Sequence, residues 1–202
     1  MKFRIKHTEI GVSYTLLCLA AVCALLGMLE NFLWCAAAIA LHEGGHLLMM
    51  RCLGYFPERI KISLFEIAII DSGRQQRSAR HNALIIFFGP FANFICFSVS
   101  YLLYLIGMKA IMPFAAANLS VGLFNSLPVL SLDGGQLLYL LLCRRHSPQT
   151  AERAVDAVTF ACIFPLAALG FWLLLQSKNN FSLLFVSGCL AASLLMRRNR
   201  YF

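Results

Sequence analysis

The sequence predicts an all-α polytopic membrane protein with about six transmembrane helices. Three observations predict it. Of its 202 residues, 60% are hydrophobic and only 13% charged, with a mean hydropathy of +0.75. A soluble domain is about half apolar and a quarter charged. The apolar residues fall in runs close to the ~20 that cross a hydrocarbon core as a helix. The Lys and Arg residues fall between those runs.

The first ten residues carry Lys2, Arg4 and Lys6. Gly11–Leu29 is the first expected span. It is long and has no small-residue cleavage site, so it reads as an anchor rather than a removable signal. Glu30 and Asn31 turn the chain into the second span, Phe32–Met50. The next stretch differs. Arg59–Asp71 reads RIKISLFEIAIID, partly alternating and rich in β-branched residues. That pattern predicts a short membrane-associated β-hairpin or strand between spans two and three. Such a strand is either an ordinary connector or an edge that accepts an extended peptide.

Ser72–His81 is a polar loop before the third span, Asn82–Ile106. Gly89-Pro90 inside that span predicts a kink or break, tolerable where neighbours satisfy the freed carbonyls. After a turn at Gly107–Pro113, Phe114–Leu142 is too long for one straight span, about 43 Å if fully helical. NSLPVLSLDGG at 125–135 marks a break within it. Irregular backbone at membrane depth must be buried in protein or line a wet cavity. Cys143–Asp156 forms a polar loop, and Val155–Gln176 and Phe181–Met196 are the last two spans. The chain is read as one integral membrane domain over 1–202, with a three-helix core over about 32–142.

With six spans both termini share one side. Of the 17 Lys and Arg, all but Lys109 and Lys178 fall on that side. The positive-inside rule makes it cytosolic. The basic excess, 17 against 9 acidic residues, therefore reports orientation, and no nucleic-acid partner is expected. The eight cysteines are scattered, mostly through apolar runs, without a C-x-x-C pair, and read as small buried apolar residues.

The chemistry concentrates in the second span. His42, Glu43 and His46 form H-E-x-x-H within Ala36–Met50. Residues four apart share a helix face, so two imidazoles can grip one Zn²⁺ while the Glu reaches a water beside it. Ionisable groups at membrane depth cost about 2.5–3.5 kcal/mol each and need a use or a partner. A polar cluster that only glues helices together does not require His, Glu and His at this spacing. Gly44 and Gly45 serve either close helix packing or room for a substrate backbone. Catalytic zinc usually takes three protein ligands and leaves a fourth position for water. Asp133 is the carboxylate at matching depth outside the second span, hence the candidate third ligand. Asn93 is either helix glue or a group facing the site. Asn93 and Asn125 are candidate substrate or oxyanion donors.

Three motifs in order, HEGGH at 42–46, FGPFAN at 88–93 and NSLPVLSLDGG at 125–135, resemble the site-2 protease family of intramembrane zinc metalloproteases. The compact plan is similar to sporulation-type members without a PDZ domain, and neither a PDZ nor a CBS domain is expected. The resemblance implies one zinc per chain on His42, His46 and Asp133, with Glu43 as base. It implies cleavage of a transmembrane protein substrate, of sigma or anti-sigma factor type, in a bacterial cell membrane, with a regulatory membrane partner. A different class, a zinc transporter or a non-proteolytic adaptor, would keep the metal without the cleavage. Zinc transport favours several exchangeable sites along a path, and the sequence offers one cluster.

The loop charges generate a topology prediction. A reporter active only outside the cytosol, fused after Phe202, is expected to be silent; activity from it would reverse the orientation.

Overall fold

The computed structural model describes residues 2–5, 8–12, 14–57, 59–62, 67–70 and 77–176, and the expected sixth span lies outside them. The described chain is mostly helical and divides into two compact units, Met1–Leu123 and Phe124–Phe202.

The first unit opens on two short strands, β1 (Lys2–Ile5) and β2 (Thr8–Val12), before helix α1 (Tyr14–Leu25). The expected first span is thus shorter, because Gly11 and Val12 belong to a strand. Helix α2 covers Leu29–Cys52. The turn before it falls at residues 26–27, four residues earlier than Glu30-Asn31. Gly27 takes φ +70°, a left-handed conformation that glycine adopts without strain. Glu30 then falls in the first turn of α2, where a carboxylate complements the helix dipole.

Strands β3 (Arg59–Ile62) and β4 (Ile67–Ile70) follow, paired antiparallel with Ile60 opposite Ile69. Strand β3 also pairs in parallel with β2, so one sheet runs β1-β2-β3-β4 and β4 is an outer strand. The described residues therefore hold more strand than one hairpin. The basic leader, read only for its charge, contributes half of the sheet.

Helix α3 covers Ala79–Leu105 and starts inside the expected loop. Ser78 caps it, accepting a hydrogen bond from the His81 amide at 3.3 Å. The segment before it is held by the Tyr55 hydroxyl, 2.9 Å from His81 Nδ1, and by the Arg77 guanidinium, 4.1 Å over the Tyr55 ring. Pro90 lies within α3, which continues through it. A 3₁₀ turn at Lys109–Ile111 leads into α4 (Met112–Ser126).

In the second unit the break within the fourth segment occupies residues 127–132, and α5 begins at Asp133 (Asp133–Leu142). Gly134 and Gly135 let the chain fold back tightly. A β-carbon at Gly134 would run into the Ser126 and Leu127 carbonyls, and one at Gly135 into Val129. Helix α6 (Pro148–Gln176) starts well before Val155. Ser147 accepts from the Thr150 amide at 3.4 Å, and Pro148 opens the helix where its missing N–H is harmless. From α6, the fully buried Thr159 accepts the Leu130 amide at 3.0 Å, satisfying a donor that the break exposes. Val129 and Ile163 form the unit's apolar centre, with Phe124, Leu127 and Leu132 around it.

Helices α2 and α3 are both long and apolar enough to cross a membrane. Their surface distribution agrees. Leu33, Leu48, Phe87, Ile95, Val99 and Leu102 are exposed, while His42, His46, Asn93 and Ser100 are buried. Apolar groups outside and polar groups inside suit a hydrocarbon solvent.

The two glycines of the motif separate here. A β-carbon at Gly45 would collide with the Phe88 carbonyl of α3, whereas Gly44 has nothing within 4 Å. Gly44→Ala is therefore expected to stabilise the detergent-solubilised protein, gaining up to about 1 kcal/mol of helix propensity. Gly45→Ala gains the same but costs about 1–3 kcal/mol of overpacking against rigid backbone, so its melting temperature is expected to fall. Equal shifts for the two variants would show that α2 and α3 do not meet at Gly45.

Candidate metal centre

Helix α2 carries His42 and His46 one turn apart, and both are buried. Their rings stand nearly perpendicular, at 88°, with centroids 4.9 Å apart. Each is held through Nδ1 by α3: His42 Nδ1 lies 2.7 Å from Asn93 Oδ1, and His46 Nδ1 lies 2.8 Å from the Ile85 carbonyl oxygen. A carbonyl oxygen only accepts, so each Nδ1 carries the hydrogen. Each Nε2 then presents a lone pair.

The two Nε2 atoms are 3.3 Å apart. Zinc bound tetrahedrally at about 2.0–2.1 Å from each nitrogen needs them about 3.3–3.4 Å apart. Tautomer, direction and separation all fit a zinc ion, and the ring nitrogens pointing away are engaged as metal-binding histidines require. Gly89 completes the fit. A β-carbon there would strike both imidazoles. The glycine of Gly89-Pro90, read in the sequence for a kink, is instead the floor on which the rings lie.

Asn93 is fully buried, and of the two parts expected for it, helix glue and a group facing the site, its amide nitrogen takes the first. Its amide nitrogen donates to the Ala38 carbonyl at 2.9 Å and to Asn118 Oδ1 at 3.0 Å. Both amide hydrogens are committed, so no N–H remains for a substrate oxygen. Asn93 orients His42 instead. Asn118, also fully buried, in turn donates to the Phe114 carbonyl at 3.0 Å. Sequence reasoning passed over Asn118, although an Asn in the run FAAANLSVGLF is as costly at membrane depth as Asn93.

Glu43 follows His42 on α2 and is half-buried. In the second unit, Asp133 is buried in the first turn of α5, where the helix dipole favours a carboxylate. Asn125 is half-buried in the last turn of α4.

Comparison with known proteins gives a consistent result. Residues 106–166, which include the break and Asp133, match the model of peptidase family M50. Over 163 residues, 77% of the chain, it is 28% identical to stage IV sporulation protein FB of Bacillus subtilis (strain 168), covering 54% of that protein. The chain thus spans about half the length of the curated relative it matches. The fold is similar to that of the site-2 protease from Methanocaldococcus jannaschii. The TM-score is 0.67 at 20% identity, over 94% of this chain and 91% of the other.

Proposed function

We propose that the chain is a member of the site-2 protease family, an intramembrane zinc metalloprotease, as its match to the peptidase family M50 model and its likeness to a sporulation protein support. Its substrate is a membrane-bound protein cut at a peptide bond in or near a transmembrane segment. The observation that carries the reading is the pair of Nε2 atoms at 3.3 Å, both in the tautomer that binds metal, with a Glu directly after the first. His42, His46 and Asp133 are the proposed ligands of one zinc; each offers one ligand atom, and all three are buried.

Zinc, when bound, supplies a Lewis acid that polarises the scissile carbonyl and acidifies water toward a pKa of ~7. Glu43 accepts the proton of the attacking water and returns it to the leaving amine as the C–N bond breaks. Asn125 is the remaining candidate donor to the developing oxyanion. Helix α2 ends at Cys52, so the histidines lie near the end of the helix that the loop charges assign to the cytosol. Water reaches the site from that side, and both termini face it. Release of a regulatory protein, of sigma or anti-sigma type, is the proposed outcome in a bacterial cell membrane, with a regulatory membrane partner controlling it.

A helix opened for cleavage leaves backbone groups unpaired, each costing several kcal/mol in a dry site. The outer strand β4 offers a place to restore them by strand addition, which makes little demand on side chains and suits varied substrates.

Glu43→Gln is expected to keep zinc and abolish cleavage of a co-expressed membrane substrate, while His42→Ala, His46→Ala and Asp133→Ala each lower zinc content. Cleavage by Glu43→Gln would point to the transporter or adaptor class and a contaminating protease. Full zinc occupancy in Asp133→Ala would strike it from the ligands. Single prolines across Ile67–Ile70 are expected to stop cleavage at alternate positions, where the N–H faces the open edge, with zinc content unchanged. Uniform tolerance would reduce β4 to a connector.

A further inference from the structure

The zinc reading leaves the buried Asn118 unused. Asn118 sits in α4 with no surface exposed and contacts neither histidine in the hydrogen bonds described. Its bonds nevertheless determine which way every hydrogen between it and His42 points. The Phe114 carbonyl can only accept, so the Asn118 amide nitrogen faces it and Asn118 Oδ1 faces Asn93. The Ala38 carbonyl can only accept, so the Asn93 amide nitrogen faces both Ala38 and Asn118. Asn93 Oδ1 is thereby turned toward His42, at 2.7 Å. His42 must then carry its hydrogen on Nδ1, so that Nε2 carries none. A flipped Asn93 would present N–H to Nδ1 and drive the hydrogen onto Nε2, where it blocks a metal.

Gly122 leaves room for this chain of bonds. A β-carbon there would sit 3.2 Å from the Asn93 β-carbon and 3.3 Å from the Phe94 ring. Small residues on α4 let it approach α3 closely enough for an asparagine pair to form.

We infer that Asn118 is a positioning residue for the metal centre. Two backbone carbonyls, Phe114 on α4 and Ala38 on α2, set the direction of an Asn118–Asn93–His42 relay, and that direction fixes the tautomer of His42. The inference rests on the zinc reading and deepens it. His46 needs no such relay, because the Ile85 carbonyl holds its Nδ1 directly. The two histidines are therefore unequal: one tautomer is set by backbone, the other by side chains that can be replaced.

The test measures zinc affinity of the full detergent-solubilised chain by competition with a chelator, together with the visible spectrum of the cobalt(II)-loaded protein. In Asn118→Ser the shorter hydroxyl bonds back to Phe114, as helical serines do, and cannot reach Asn93. In Asn118→Leu the shape is kept and both bonds are lost. Each is expected to weaken zinc binding by about ten- to a hundred-fold, the usual cost of losing a group behind a metal ligand. Asn93→Ala should do the same, and the Asn93→Ala/Asn118→Ser double variant should lose no more than Asn93→Ala alone. The cobalt spectra of Asn118→Ser and Asn93→Ala should change alike. Ser100→Ala, a buried polar change elsewhere on α3, should leave affinity and spectrum unchanged. Wild-type affinity in Asn118→Ser, or losses that multiply in the double variant, would overturn the relay while leaving the zinc site standing. A wild-type chain that takes up no zinc would overturn the zinc reading and the relay with it.

Discussion

The hydrogen bond from His42 to Asn93 is the interaction on which the first unit depends. Lipid gives two apolar helices little reason to associate, so packing of small residues and hydrogen bonds between helices must hold them. Helices α2 and α3 use both. His42 meets Asn93 and His46 meets Ile85, so the helices run antiparallel and their register is pinned at two points. Gly45 lets α2 lie against the Phe88 carbonyl, and Gly89 gives the imidazoles a flat bed. Either bond would be out of reach if the backbones were a methyl further apart. The same contacts that join the helices also orient the two imidazoles.

The second unit meets a different constraint. Residues 127–132 leave helical geometry, which takes their backbone donors and acceptors out of helical pairing. Within the break, Val129 donates to the Leu127 carbonyl at 2.8 Å and Leu132 to the Val129 carbonyl at 2.8 Å. Thr159 takes the Leu130 amide from outside. The glycines after Asp133 let α5 begin directly beneath these turns. An Asp-Gly-Gly sequence is thus a structural statement as well as a chemical one: the carboxylate stands at a helix start, and the two residues after it have no side chains to keep the break away.

The sequence was legible where spacing alone carries geometry. His42 and His46, four apart, share a face in any helix, and the fold only had to form that helix. The interruption of Phe114–Leu142 was legible because Pro128 and the Gly134-Gly135 pair oppose continuous helix. Boundaries were less legible, and for particular reasons. Helix α6 begins at Pro148 because Ser147 caps it; a Ser-Pro start was readable but lay hidden in a segment weighed by hydropathy. The sheet joining β2 to β3 was not readable, since parallel pairing across some fifty residues leaves no local mark. Asn118 escaped because its importance is relational. A polar residue in an apolar helix announces a partner without naming it, and only the fold shows that the partner is Asn93.

Those partners also bear on the choice between a metal centre and mere polar glue. Glue between helices pairs each donor with an acceptor. Here Asn118, Asn93, His42 and His46 place their side-chain donors on Phe114, Ala38, Ile85 or one another. The two Nε2 atoms lie on the far side of the rings from these bonds, 3.3 Å apart. Two imidazole nitrogens this close in a low-dielectric interior are favoured by a positive charge beside them. The spacing matches that of two imidazoles on one zinc. The bonds that hold the helices together thus leave the imidazoles in an arrangement that suits a cation.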